Sequence, residues 1–278
     1  MAETPLADRR LAVIGCGNMA TAIVGGLIEQ RLLSPDQVVG HDRDAQRQAA
    51  LVESRGITGA DSNAAAIDDA DIILLAVKPQ NAEEVLAEIG PAVTDSQLII
   101  SILAGTKTAL IESHCSGSVP VVRVMPNTPA LVGCGAAALA PGRHAGEEHL
   151  ALTRAIFDAV GISVELSEDD LNAVTGLSGS GPGYVFLFVE AMIQAGIDVG
   201  LSPRASHQLV AQTLLGSARL LLEDSAQRTP AELREAVTSP GGTTAAGLEV
   251  LRHEDFGGIV RMAIHAATER SRELGRGK

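Results

Sequence analysis

Through about residue 165 this chain alternates short β-branched runs with helix-like stretches, and several of the runs are continuously apolar rather than alternating. "DIILLAV" and "QLIISIL" are the clearest. A strand that is apolar on both faces needs cover on both faces, which a parallel sheet sandwiched between helices supplies. The expected strands are Leu11 to Gly15, Gln37 to His41, Asp71 to Val77, Leu98 to Leu103, Val119 to Met125, Gly135 to Leu139 and Ile162 to Leu166. From Glu168 onward the β signals fade. Leu/Ala-rich stretches follow, punctuated by helix starts at Ser202-Pro203 and Thr229-Pro230-Ala231-Glu232. The expected fold class is therefore α/β: an N-terminal Rossmann-like, doubly wound, mostly parallel sheet over residues 1–167, and an all-helical C-terminal domain over residues 168–278. No Gly/Ser linker separates the two parts, so they are expected to pack together.

The first strand leads into "IGCGNMA", which sets Gly15, Gly17 and Ala20 in a GxGxxA arrangement between a strand and a helix. Gly15 allows the tight turn, Gly17 lets a pyrophosphate approach the backbone, and Ala20 lets the helix sit close to the strand. A tight turn without a ligand is the plainer alternative. The second strand ends in "GHDRD", where an acidic residue suits the ribose 2′-hydroxyl of NAD and a basic one the 2′-phosphate of NADP. Asp42 and Arg43 supply one of each. The reading adopted is NADPH, with NADH as the alternative. "AVKPQ" at 76–80 and "SILAG" at 101–105 mark two further strand ends at which ligands bind in such folds. Lys78 there reads as positional rather than catalytic.

Other chemistries find little support. A net charge of −13 repels nucleic acid and anionic membrane surfaces, and no run approaches the length of a membrane span. The N-terminal MAETPLADRR lacks the apolar core of a signal peptide. Cys16, Cys115 and Cys134 show no CxxC spacing, which fits a reducing, cytoplasmic setting without disulfides. The seven histidines show no ligand spacing, so no metal site is expected. "GLSGSGPGY" at 176–184 lacks the GxSxG of a nucleophile elbow and reads as a glycine-rich turn before a helix. No lysine lies between Lys107 and Lys278, which removes mechanisms that need a lysine acid or base on the helical domain.

What remains is hydride delivery to an activated carbon, which demands little proton transfer. "TSPGGTT" at 238–244 offers glycines, successive amides near a helix start and threonine hydroxyls at cap positions, a suitable cradle for a small carboxylate. An ordinary threonine N-cap after a proline-glycine loop is the competing reading. Together, "IGCGNMA", "ADIILLAVKPQ", "RVMPNTPA", "VTGLSGSGPGY" and "LREAVTSPGGTTAAGLEVL" make the chain, over essentially its whole length, similar to pyrroline-5-carboxylate reductase.

The resemblance implies reduction of 1-pyrroline-5-carboxylate, a cyclic imine carboxylate, to L-proline by NADPH or NADH. It also implies a homodimer through the helical domain, and often a ring of dimers. Carried onto this chain, it gives Gly15, Gly17, Asn18 and Met19 to the pyrophosphate. Arg43 and Asn63 go to the 2′-phosphate, and Ala76, Val77, Lys78 and Pro79 to the nicotinamide. Ser239, Gly241, Gly242 and Thr243 would hold the substrate carboxylate, with Thr244 reaching the ring nitrogen as the catalytic group. Family members commonly carry alanine where this chain has Gly183, and alanine where it has Cys16. A 3-hydroxyacid dehydrogenase would need the missing lysine; a nucleotide-sensing protein without catalysis, or a reductase of a related cyclic imine, remains as the alternative.

Overall fold

The computed structural model describes residues 5–224 and 227–276; the first four residues of the N-terminal stretch and Lys278 lie outside them. Eight strands form one sheet: β1 (Leu11–Ile14), β2 (Val38–His41), β3 (Thr58–Gly59), β4 (Ile72–Leu75), β5 (Leu98–Ser101), β6 (Val121–Met125), β7 (Gly135–Pro141) and β8 (Gly161–Glu165). Their order is β3-β2-β1-β4-β5-β6-β7-β8. All neighbours are parallel except β6 and β7, which run antiparallel. The seven expected strands are present with ends trimmed or extended by a few residues. The two-residue β3 was not anticipated, because Thr58-Gly59 is too short and too exposed to leave a pattern.

Helices α1 (Asn18–Glu29), α2 (Ala45–Arg55), α3 (Asn63–Ile67), α4 (Ala82–Ile89), α5 (Thr108–His114) and α6 (Glu147–Asp158) alternate with the strands. Successive strand residues point to opposite faces, and each face has its own core. Leu11, Val13, Ile72, Leu74 and Ile100 meet Ile23 and Leu27 of α1 and Ile156 and Phe157 of α6 on one side. Ala12, Ile14, Ile73, Leu75 and Ile99 meet Ile67, Leu86 and Ile111 of α3, α4 and α5 on the other. This two-sided burial is what the continuously apolar strands require. With β1 connecting outward to β2 on one side while β4 and β5 follow on the other, the chain reverses its winding between β1 and β4.

The chain divides into two compact units, one running to Ser180 and including the chain from Ala266 onward, the other spanning Gly181–His265. In the first unit Arg123 on β6 is buried, with Nη1 3.3 Å from Glu168 Oε1. Glu168 also accepts the backbone N–H of Thr108 at 2.8 Å and its hydroxyl at 3.0 Å. One carboxylate thus neutralises a buried guanidinium and satisfies the first amide of α5. After α7 (Leu171–Val174) the chain continues as a π-helical turn, Thr175–Gly179. The stretch read as a glycine-rich turn is therefore largely helical: the Ser180 N–H donates to the Thr175 carbonyl, five residues back, at 2.8 Å. Asn127 pins this turn, donating to the Ser178 carbonyl at 3.0 Å while accepting the Ala136 N–H of β7 at 2.9 Å.

The second unit is helical, built from α8 (Gly181–Asp198), α9 (Pro203–Asp224), α10 (Pro230–Ala236), α11 (Thr243–His253) and the first half of α12 (Phe256–Arg276). Phe188 and Phe256 pack at a centroid distance of 6.1 Å. Yet α8 has no buried residue, and Phe186 and Leu187 are 68% and 67% exposed. Val250, Ile259 and Met262 are likewise exposed. An apolar surface of this extent needs a partner.

Two substitutions test this account. Glu168→Ala strands the buried Arg123 charge and is expected to lower stability by about 3 kcal/mol, read as a reduced urea midpoint. Gly183→Ala lies near the start of α8, where an added methyl meets no atom within 4 Å. It is expected to raise stability by up to about 1 kcal/mol in the same assay.

Candidate functional site

A cleft of about 850 Å³ opens at the carboxyl ends of the strands, around the point where the winding reverses. Its lining comes from the segments following β1, β2, β3, β4 and β5 and from the end of β6. Gly15, Gly17, Asn18, Met19, Arg43, Asn63, Ala76, Val77, Lys78 and Pro79 all contribute. The ten positions assigned from sequence to a dinucleotide are thus brought to one wall-to-wall site. Of the 101–105 segment, only Ile102 reaches the lining.

Local geometry explains why the β1 turn is glycine-rich. Gly15 has φ +98°, and a Cβ there would fall 2.8 Å from the Ala76 carbonyl carbon and oxygen. Its N–H donates to the His41 carbonyl and the Ala76 N–H to Ile14, both at 2.8 Å, so the ends of β1, β2 and β4 are laced together. Gly17 caps α1 in an extended conformation, with no side-chain cap and no acidic residue in the first turn of the helix. A Cβ on Gly17 would point into open space. The α1 amides and the positive end of its dipole therefore face a volume free of protein, which is the arrangement an anionic pyrophosphate needs.

Asp42 has a role the sequence did not reveal. Its Oδ2 accepts the Cys16 N–H at 2.8 Å and its Oδ1 the Asp44 N–H at 2.9 Å, so its carboxylate ties the glycine loop to the end of β2. Burial, reinforced by the Asp42 charge, pushes the Cys16 thiol up to about 12. The thiol stays neutral and adds no repulsion to a bound phosphate. Arg43 is exposed at the cleft, and Arg47 pairs with Asp44 at 3.3 Å. Asn63 Nδ2 donates to Glu88 Oε2 at 2.7 Å, and Glu88, Met125 and Pro126 also line the site. Met125-Pro126 stood inside the quoted "RVMPNTPA", but nothing in the letters alone said that β6 ends at the cleft. Lys78 precedes the short turn Pro79–Asn81 as its cap residue and lines the cleft without a side-chain cap bond.

The 239–244 segment belongs to the second unit. Ser239-Pro240-Gly241-Gly242 closes a turn in which the Gly242 N–H donates to the Ser239 carbonyl at 3.0 Å. Gly241 has φ +68°, the left-handed position that follows proline in a type II turn. Gly242, not a threonine, is the N-cap of α11, so Thr243 and Thr244 occupy the first two helical positions. This corrects the expectation of threonine caps: the turn closed from Gly242 to Ser239 leaves Gly242 as the last extended residue and carries both threonines into the helix. The α11 start has neither a side-chain cap nor an acidic residue in its first turn. The start of α10 differs, since Thr229 and Glu232 form a reciprocal capping box whose hydrogen bonds hold the Glu232 carboxyl below its usual range. Ser239, Gly241, Thr243 and Thr244 are exposed and Gly242 partly so.

Among the described residues no group of three or more His, Cys, Asp or Glu is placed to hold a metal ion, and no helix is long and apolar enough to cross a membrane. The chain matches a family model described as pyrroline-5-carboxylate reductase dimerisation over residues 168–274. A second model, NADP oxidoreductase coenzyme F420-dependent, matches residues 10–105. The chain is 41% identical to a pyrroline-5-carboxylate reductase of Pseudomonas aeruginosa, over 95% of this chain and 96% of that one. Among solved structures, a pyrroline-5-carboxylate reductase from Coxiella burnetii superposes with a TM-score of 0.89 at 35% identity, covering 96% of this chain and 98% of that one. The Plasmodium falciparum pyrroline carboxylate reductase with NADP bound gives 0.85 at 32% identity, with the same coverages. With similarity running the length of the chain and spanning both units, the chain belongs to the pyrroline-5-carboxylate reductases, a family of NAD(P)H-dependent oxidoreductases.

Proposed function

We propose that this chain reduces L-1-pyrroline-5-carboxylate to L-proline, the last step of proline biosynthesis, with NADPH as the hydride donor and NADH as its alternative. The observation that carries this reading is the convergence of all ten dinucleotide positions on one cleft at the reversal of the sheet. The residues fit such a cofactor. Uncapped α1 amides and the open side of Gly17 suit the pyrophosphate, Arg43 and Asn63 the 2′-phosphate, and the Ala76–Pro79 backbone a flat nicotinamide ring. When bound, the reduced nicotinamide contributes the hydride that the imine carbon receives.

The chain's own task is to hold the imine. Ser239, Gly241, Gly242 and Thr243 bind its carboxylate, using the uncapped amides and dipole of α11. Pro240 fixes φ at the first corner of that turn and Gly241 permits the left-handed second one, closed by the Gly242 N–H to the Ser239 carbonyl, so the turn is formed before substrate arrives. Thr244, at the second helical position, sets its hydroxyl against the ring nitrogen. Toward a protonated imine the hydroxyl accepts a hydrogen bond and orients the ring; toward a neutral one it donates, favouring charge build-up on nitrogen as the carbon is reduced.

The helical domain, residues 168–278, serves substrate binding and dimerisation. The exposed apolar residues of α8, α11 and α12 are the surface a second copy would cover, and rings of dimers are the expected larger assembly. Catalysis in the cytoplasm fits the unpaired cysteines.

Steady-state assays with 1-pyrroline-5-carboxylate, following NADPH and NADH oxidation separately, test the reaction directly. Rapid oxidation is expected. Absence of turnover with either, alongside measurable dinucleotide binding, would replace the reading with a nucleotide sensor or a reductase of another cyclic imine. Thr244→Ala is expected to lower kcat/KM by about 10- to 100-fold, with dinucleotide affinity unchanged. Full turnover and substrate affinity in that variant would remove Thr244 from the mechanism.

A further inference from the structure

Five acidic residues line the cleft, Asp42, Asp44, Asp61, Glu84 and Glu88. Asp44 caps α2 and pairs with Arg47, while Asp42 and Glu88 hold groups of the proposed dinucleotide site, and their hydrogen bonds separate their roles. Asp42 is turned to the backbone: each of its oxygens accepts an N–H, from Cys16 and from Asp44. Glu88 is turned to a side chain, accepting the Asn63 amide at 2.7 Å from the exposed side of α4. Asn63 is the same amide that, with Arg43, is assigned to the 2′-phosphate.

We propose that Glu88, rather than Asp42, is the acidic residue that sets the balance between NADPH and NADH. This rests on the cleft being the dinucleotide site. A 2′-phosphate carries about −1.5 to −2 charge. To reach the Asn63 amide it must displace the Glu88 carboxylate or lie against it, and either costs affinity. The 2′-hydroxyl of NADH meets no such conflict, because it donates to the carboxylate that Asn63 already holds in place. Arg43 attracts the phosphate and Glu88 opposes it, so the chain accepts both cofactors with a narrower preference than Arg43 alone would set. Both charges are solvent-exposed, which keeps the effect modest and dependent on salt. Asp42 acts on both cofactors alike, since it shapes the glycine loop over the pyrophosphate that they have in common.

The test is calorimetric titration of the full-length protein with NADP⁺ and with NAD⁺, for the unaltered chain, Glu88→Gln and Asp42→Asn. Glutamine preserves an acceptor for Asn63 and removes the charge. In Glu88→Gln, NADP⁺ is expected to bind roughly three- to tenfold more tightly at low salt, with NAD⁺ unchanged or weaker and the gap shrinking as salt rises. Asp42→Asn is expected to weaken both without changing their ratio. An unchanged ratio in Glu88→Gln, or weaker NADP⁺ binding because Glu88 had been orienting Asn63 for the phosphate, would overturn the proposal. So would a larger shift of the ratio in Asp42→Asn. Failure of the unaltered chain to bind either dinucleotide is a separate result and would overturn the assignment of the cleft itself.

Discussion

The approach of Gly15 to the Ala76 carbonyl is the contact on which the site depends. Parallel β1 and β4 lie side by side, and their carboxyl-terminal loops leave in different directions. The backbone can part there only if β1 turns sharply, at φ +98°, with no side chain between it and β4. Once it does, α1 begins with its amides facing the gap between the two loops, and the segments at the ends of β2, β3, β5 and β6 complete the walls. Asp42 strengthens the arrangement from the β2 side by accepting the Cys16 N–H. Binding of an anion is therefore prepared by backbone geometry before any charged side chain takes part.

That order of causes reconciles the global charge with the proposed ligands. A chain with 34 acidic and 21 basic residues carries a net charge of −13, yet it is read as binding two anions, a dinucleotide and a carboxylate. Both sites solve the problem locally. α1 and α11 start at Gly17 and Gly242, with no side-chain cap and no acidic residue in the first turn. The α10 start, which caps itself with Thr229 and Glu232, shows that acidic capping was available to this chain and is absent at these two helix ends. Small residues at helix starts let dipoles and amides act over short range, where the diffuse negative field of the rest of the surface is screened.

The two units differ in how complete they are. The first buries both faces of its central strands, leaving apolar exposure at Ile162 and Val164 of edge strand β8, and its Arg123–Glu168–Thr108 cluster is internally neutralised. The second leaves α8 without a buried residue and Phe186 and Leu187 exposed, in a chain with only four phenylalanines. So much apolar exposure on helices is the mark of a surface made for another chain, in keeping with a dimerisation family model that begins at residue 168.

Much of this was legible in the letters. Continuous apolar runs specified strands buried on both sides and GxGxxA after the first of them specified the turn, because each depends on local sterics and spacing; "SPGGTT" marked a helix start but left a threonine cap and free amides as competing readings. Two-residue β3 escaped, since it is held only by its pairing with β2. The π-helical turn at Thr175–Gly179 escaped too: its glycines read as a loop, whereas Asn127, some fifty residues earlier, fastens it to the sheet. The capping role of Gly242 was misassigned to threonine because the deciding hydrogen bond, to Ser239, is a matter of turn geometry. The sequence by itself determined the fold class, the helical second half and, to within two residues, the two helix starts proposed to meet anions. Only tertiary structure decided that Asp42 serves the glycine loop while Glu88 holds Asn63, because those partners lie 26 and 25 residues apart and meet only when the strands are laid side by side.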